Sequence, residues 1–316
     1  MAEDQGVNGD IWTDQATRFL EKLGWIKIAD SNIDVPGTGG LKHGIDSIFK
    51  FNDGFKPDKG QGIFIEAKRY KTTSFSASKL NDWIKVIDKK IRSLDSSADF
   101  YDKYPTMSSL NIYNGLLVIW FPDTENYPAY RETFKNALLN VRTPKARGVG
   151  KINRLFVLEN DNILRLTSLM DSVDEWDRTH SSPKLDTSLK FHYPSSQQFG
   201  YPIQEIKTLN LEYMFSKFIL ARATIEVEEK FTTTDVIFYF GEQNMHNFFR
   251  LKEALLSFDM LSSENSLFIY LYQKDDEFRK IKPDVIKLFQ QDKGPQNVNI
   301  KSMIIHRELP PWINDD

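Results

Sequence analysis

The sequence His43-Gly44-Ile45-Asp46, followed after a turn-rich segment by Gly62-Ile63-Phe64-Ile65-Glu66-Ala67-Lys68, decides the fold of this chain. Residues 45–51 and 62–68 each have the apolar character of a short strand. The segment between them is rich in glycine, aspartate and lysine and contains a proline, a composition typical of turns. The two stretches therefore predict neighbouring strands in a hairpin-like unit.

Side chains in the second of these stretches alternate between the two faces of the predicted strand. Glu66 and Lys68 share one face, whereas Ala67 between them points to the other. Together with Asp46, the pattern places two carboxylates and one lysine on neighbouring strands.

Tripeptides of an acidic residue, any residue and lysine also arise by chance, and this chain contains four of them. The one at Asp88 lies in a strongly helical stretch, and the one at Glu205 follows a loop-like segment. The one at Glu228 has strand-like neighbours, but no matching aspartate strand precedes it. The tripeptide at Glu66, together with Asp46, is therefore favoured as a metal and phosphate site. A charge cluster at a sheet edge is the alternative.

A Gly-x-Asp strand start followed by an apolar Glu-x-Lys strand resembles the PD-(D/E)xK nuclease superfamily. Gly44-Ile45-Asp46 stands where that family has its Pro-Asp, with Ile45 in place of proline, and Glu66-Ala67-Lys68 supplies the (D/E)xK. The resemblance covers roughly the first half of the chain, and it implies hydrolysis of phosphodiester bonds.

The resemblance implies that Asp46, Glu66 and Lys68 are the catalytic residues. Asp46, Glu66 and the backbone carbonyl of Ala67 would ligate Mg²⁺, for which Mn²⁺ can substitute, because hard divalent cations prefer oxygen. Lys68 would orient or help deprotonate the attacking water and offset charge on the phosphate. In the family a first helix often adds a metal donor, here Asp14 or Gln15, although the polar face of an amphipathic helix explains both residues equally well.

The local charge balance differs from that of the whole chain, whose formal net charge is −3. Residues 56–92 contain ten Lys or Arg and four Asp or Glu, and residues 142–154 contain five basic residues and no acid. These windows indicate either a track for a nucleic-acid backbone or an ordinary solvated face. The candidate nucleic-acid-binding residues are Lys42, His43, Arg69, Lys71, Lys79, Arg147 and Lys151.

The composition limits the classes to which the protein can belong. Of 316 residues, 40% are hydrophobic and 27% charged, which is typical of a globular protein, and the chain is long enough for two domains. The absence of cysteine excludes disulfides and thiolate zinc sites and agrees with a reducing compartment. We expect a cytoplasmic protein with no membrane segment.

Helical and strand-like segments alternate along the chain, which predicts an α/β fold. We expect a restriction-endonuclease-like mixed sheet flanked by helices in residues 1–175. Residues 176–316 then form a second α/β domain for recognition or partner binding, because a loop-like composition separates the halves. The sequence shows no internal repeat with a convincing period.

Two functions follow from these expectations. The first is a metal-dependent endodeoxyribonuclease that acts in defence against foreign DNA. The near-neutral charge suits a nuclease that works as a homo-oligomer or in a complex with a protein partner. The alternative is a catalytically silent nucleic-acid-binding or scaffolding subunit with a nuclease-like fold.

Overall fold

The computed structural model describes residues 7–29, 33–40, 42–142, 153–194, 203–227, 230–273, 278–292 and 294–314. These residues fall into two compact units. Unit 1 is drawn from Met1–Asp53, Asp58–Ile163 and Arg307–Asp316, and unit 2 from Gly54–Pro57 and Leu164–His306. The predicted domains 1–175 and 176–316 stay a prediction, and the units differ from them at the helix around residue 164 and at the C-terminal segment.

The helices are α1 Val7–Lys22, α2 Ala77–Asp95, α3 Ala98–Lys103, α4 Tyr127–Leu139, α5 Asn160–Thr179, α6 Leu211–Met214, α7 Met245–Ser257, α8 Phe278–Gln290 and α9 Pro311–Asn314. The strands are β1 Ile26–Ala29, β2 Ile33–Pro36, β3 Lys42–Ile45, β4 Ser47–Phe51, β5 Gln61–Arg69, β6 Asn111–Trp120, β7 Arg154–Leu158, β8 Lys190–Tyr193, β9 Gln204–Ile206, β10 Phe218–Val227, β11 Lys230–Tyr239, β12 Ser266–Leu271 and β13 Asn297–Ser302. In the ranges given above, no helix is sufficiently long and apolar to cross a membrane.

Unit 1 contains a five-stranded sheet in the order β1-β4-β5-β6-β7. The first three strands are antiparallel neighbours, and β6 and β7 continue the sheet parallel to β5. β2 and β3 form a separate antiparallel hairpin. This mixed sheet flanked by helices confirms the predicted α/β, restriction-endonuclease-like fold class.

Helices cover both faces of the unit 1 sheet. On one face, Trp12 of α1 stacks on Trp120 of β6 with ring centroids 5.9 Å apart, and its indole N–H donates to the carbonyl of Val118. On the other face, Leu117 and Ile119 pack in a core cluster with side chains of α2 and α4. The central strands are therefore apolar on both sides, as expected for strands buried between two helical layers.

The sequence of α2 explains where this helix begins and which of its faces is buried. The side chain of Ser76 accepts a hydrogen bond from the backbone N–H of Lys79 and caps the first turn. Apolar residues then recur at helical spacing and are buried, namely Leu80, Ile84, Ile87, Ile91 and Leu94. A Cβ at Gly115 of β6 would lie 2.9 Å from the side chains of both Ile87 and Ile91, so the absence of a side chain there permits close packing.

Unit 2 contains a six-stranded sheet in the order β13-β12-β11-β10-β8-β9. β11, β12 and β13 are parallel, and the remaining neighbours are antiparallel. Trp176 of α5 packs edge-on against Phe268 on one face. On the other face Tyr239 contacts Phe248 of α7, which contacts Phe278 of α8. Unit 2 is thus also an α/β layer structure.

The packing of α2 predicts a stability difference between two of its residues. Ile91 is 0% exposed in the core and Val86 is 47% exposed. Ile91→Ala should lower the free energy of unfolding by about 2–5 kcal/mol, because it leaves a cavity. Val86→Ala should change it by less than about 0.5 kcal/mol. Urea denaturation of both variants measures the difference, and equal effects would contradict this account of the core.

Candidate active site

The three residues predicted to be catalytic lie together in unit 1. The ammonium nitrogen of Lys68 is 3.8 Å from Asp46 Oδ2 and 3.6 Å from Glu66 Oε2. The side chains of Asp46, Lys68 and Glu66 are 19%, 15% and 7% exposed. The site is therefore a partly covered group of two carboxylates around one lysine.

Strand pairing positions these residues. Ser47 of β4 pairs with Ile65 of β5, so Asp46, one residue earlier, falls beside Glu66 and Ala67. The backbone N–H of Ala67 donates to Asp46 Oδ2 over 2.7 Å, which fixes the carboxylate across the two strands. The hydroxyl of Ser47 donates to the carbonyl of Asp46 and lies 3.1 Å from the hydroxyl of Thr17 on α1.

A second lysine belongs to the site. Lys90 of α2 donates through its ammonium to Glu66 Oε1, and its side chain is 16% exposed. The sequence alone counts Lys90 only among the ten basic residues of residues 56–92. Its spacing is a signal in retrospect, because it lies three residues after Ile87 and four before Leu94, both buried, and so at the border of the apolar face.

The charge of Glu66 depends on these neighbours. Burial, followed by repulsion from Asp46, raises the pKa of Glu66 above its ordinary value, while Lys90 and Lys68 act in the opposite direction. The net shift is upward. Because of this shift, the contribution of Glu66 to the stability of the fold depends on pH. Any such contribution is fully present below the pKa that Glu66 has in the unfolded chain, and it is lost as the pH rises through the higher pKa of Glu66 in the folded protein. The site therefore favours additional positive charge next to the two carboxylates.

His43 of β3 lies near Lys89 and Lys90, in the C-terminal half of α2. Burial lowers its pKa, and the positive charges of Lys90 and Lys89 lower it further. Its Nε2 atom is buried and has no hydrogen-bond partner in the described part of the chain. A Cβ at Gly37 would lie 2.6 Å from the His43 ring, so glycine makes room for the imidazole.

The remaining basic candidates are spread over different surroundings. Arg69 follows Lys68 on β5 and so points to the α1 face, where it lines a depression with Gln15.

Lys79 donates to the carbonyl of Ser74 over 2.7 Å and lies over the ring of Tyr70. Lys42 and Lys71 are exposed. Arg147 and Lys151 lie outside the described residues. Nucleic-acid binding by these residues stays a prediction.

The candidate donors on the first helix lie away from the carboxylate pair. α1 packs on the sheet face opposite to the one that carries Glu66, as the contacts of Trp12 and Thr17 indicate. Asp14 is exposed, and the amide of Gln15 donates to Asn314 Oδ1 of α9 over 2.9 Å. The structure does not bring Asp14 or Gln15 to Asp46, and their role as metal donors stays a prediction.

The donor atoms at the site suit a hard divalent cation. Asp46 and Glu66 offer carboxylate oxygens. Burial and then repulsion from Asp46 raise the pKa of Glu66, so a cation between the two carboxylates would relieve an unfavourable interaction. Within the described ranges, no three His, Asp or Glu side chains form a metal-binding group. Backbone oxygens, with the carbonyl of Ala67 as the predicted one, and water would have to complete the shell.

The lysine pairing predicts different outcomes for two neighbouring substitutions. Lys90→Met should raise the pKa of both Glu66 and His43, because Lys90 lowers both. Lys89→Met should raise the pKa of His43 alone, since Lys89 is exposed and acts on the imidazole only. NMR titration of the Glu66 carboxyl carbon and the His43 ring measures both shifts. An unchanged Glu66 pKa in Lys90→Met would contradict the ion pair.

The family comparison agrees with the geometry. The model of the GAPS4 protein PD-(D/E)XK nuclease domain matches residues 1–162, just over half of the chain, and this range contains Asp46, Glu66 and Lys68. No curated protein matches the chain. The match confirms the resemblance to PD-(D/E)xK nucleases. The chain belongs to the family of the GAPS4 protein PD-(D/E)XK nuclease domain.

Proposed function

We propose that this chain is a Mg²⁺-dependent endodeoxyribonuclease that hydrolyses phosphodiester bonds in DNA. The observation that carries the proposal is the position of Lys68, 3.8 Å from Asp46 and 3.6 Å from Glu66, on the strands of a PD-(D/E)XK nuclease domain. Two acidic oxygen donors beside one ammonium group are the set that metal-assisted phosphodiester hydrolysis requires.

In this proposal Asp46 and Glu66 hold the metal. The hydrogen bond from the Ala67 N–H keeps Asp46 in place, and the ammonium of Lys90 favours the ionised form of Glu66. When bound, Mg²⁺ or Mn²⁺ supplies Lewis-acid polarisation of a phosphate oxygen and a lower pKa for water.

Lys68 is the proton-handling and charge-stabilising group in this proposal. Its three N–H donors can orient the attacking water, and its positive charge offsets the negative charge that develops on the phosphate. Its ion pairs hold the ammonium beside the two carboxylates that would bind the metal. A thioether or alkyl side chain at this position would keep the packing and lose both roles.

The biological setting is the broader part of the proposal. We infer that the protein cleaves foreign DNA in the cytoplasm as part of a defence system, in line with its resemblance to restriction enzymes. The formal net charge of −3 favours a nuclease that gains DNA affinity by assembling with copies of itself or with a protein partner.

Cleavage of plasmid and linear duplex DNA tests the proposed reaction. Asp46→Asn, Glu66→Gln and Lys68→Met should each reduce the rate at least about 100-fold, because each removes a metal ligand or the group that orients water. EDTA should abolish cleavage and added Mg²⁺ should restore it. Asp82→Asn serves as the charge-matched control, because its carboxylate is 65% exposed and pairs with Lys85.

Two results distinguish the competing functions. Full activity in all three site variants would rule out this site. DNA binding without product, in wild type and variants alike, would instead support the catalytically silent alternative. One observation favours that alternative. Lys68 and Lys90 both form ion pairs with Glu66, so two ammonium groups already compensate the carboxylates without a metal.

A further inference from the structure

Unit 2 repeats the topology of unit 1. In unit 1 the order β1-β4-β5-β6-β7 combines three antiparallel neighbours with two further parallel strands. In unit 2 the order β8-β10-β11-β12-β13 has the same directions, and β9 is an additional edge strand. In both units a small insertion separates the first two strands, made by β2 and β3 in one and by β9 and α6 in the other.

The helices repeat as well. α1 and α5 each precede the first strand of their sheet, and each places a tryptophan, Trp12 or Trp176, against the fourth strand. α2 and α7 each connect the third strand to the fourth, and α4 and α8 connect the fourth to the fifth. In both units these connecting helices cover the opposite face. Unit 2 therefore has a position equivalent to the active site of unit 1.

The equivalent position in unit 2 includes the start of the second strand. Asp46 directly precedes β4 and accepts a hydrogen bond from the backbone of β5. Lys217 directly precedes β10, and its carbonyl accepts a hydrogen bond of 2.8 Å from the N–H of Phe240 at the end of β11. A basic residue thus stands at the start of the second strand of unit 2, at the same edge of the sheet at which unit 1 has Asp46.

The third strand of unit 2 carries uncharged residues near this edge. Glu66 and Lys68 lie on the face of β5 that α2 covers. On β11 the corresponding face carries Ile237 and Tyr239, because Tyr239 contacts Phe248 of α7 and alternate residues share a face. A carboxylate pair is therefore missing at the equivalent place among the described residues of unit 2.

A crevice of about 430 Å³ lies at this position, at the carboxyl end of β11. Lys217 and Arg250 contribute the positively charged groups of its lining, and Asn247 contributes an amide. Such crevices beside the carboxyl ends of parallel strands are common ligand sites in α/β folds. Unit 2 thus has a cavity at the sheet edge that carries the candidate catalytic residues in unit 1.

The charge of the crevice is positive. Lys217 and Arg250 are exposed, and neither forms an ion pair with another described residue. Glu242 also lines the crevice, and its carboxylate accepts hydrogen bonds from the amides of Asn244 and Asn247 at 3.3 and 3.5 Å. Two cations therefore face one carboxylate, which favours an anionic ligand.

We propose that the crevice of unit 2 binds the phosphate backbone of DNA without a metal, as a recognition site built on a second nuclease-like fold. The choice of DNA rests on the proposed function of unit 1. Lysine and arginine contacts to phosphates position a protein on a duplex without reading its sequence. The same topology then serves hydrolysis in unit 1 and retention of the substrate in unit 2.

Anisotropy of a fluorescent DNA duplex, titrated with the full-length protein in EDTA, tests this site without cleavage. The double substitution Lys217→Glu and Arg250→Glu should weaken binding at least about tenfold at low salt and reduce the slope of log affinity against log salt by about 2. Arg279→Glu with Lys280→Glu, exposed on α8, makes the same change in net charge and should shift the affinity by less than about twofold.

Conservative and functional controls separate the possible outcomes. Lys217→Arg with Arg250→Lys should retain binding because it keeps both positive charges, and the circular dichroism spectrum of the charge-reversal variant should match that of the wild type. Equal binding by the wild type and the Lys217 and Arg250 charge-reversal variant, or no binding by the wild type, overturns the proposal. If the charge-reversal variant loses binding while the wild type cleaves no DNA in Mg²⁺, the nuclease function fails and the recognition site stands.

Discussion

The burial of Glu66 beside Asp46 is the interaction on which the site of unit 1 depends. Burial raises the pKa of Glu66, and repulsion from the nearby carboxylate of Asp46 raises it further. Lys68 and Lys90 offset part of that repulsion from two directions, one from the same strand and one from α2. The structure thus holds two sets of carboxylate oxygens close together, which are the donor atoms that hard divalent cations prefer.

The mixed sheet provides the rigidity that such a site needs. Asp46 is held by a backbone N–H of the neighbouring strand, and Lys90 is held by a helix whose apolar face is fully buried against the same sheet. Small changes in the packing of α2 would therefore be felt at Glu66. This coupling of a charged group to a close-packed core explains why the site is built on strands and helices and not on loops.

The two units show how one topology can carry different chemistry. The strand order and helix placement of unit 1 recur in unit 2, yet the sheet edge that carries Asp46, Glu66 and Lys68 in unit 1 is bordered by Lys217 and Tyr239 in unit 2. In unit 2 the sheet and its connecting helices border a crevice at this edge. The side chains at its border decide whether the crevice favours a cation or an anion.

The sequence by itself determined the residues of the central site and the fold class. Asp46, Glu66 and Lys68 were predictable because strand alternation and hairpin pairing are local rules, and the family match over residues 1–162 confirms the nuclease domain. Only the tertiary structure decided that Lys90 contacts Glu66 and that Arg69 and α1 lie on the opposite sheet face. It also decided that unit 2 repeats unit 1. These features depend on strand order and on contacts between residues distant in the chain, and neither leaves a periodic signal in the sequence.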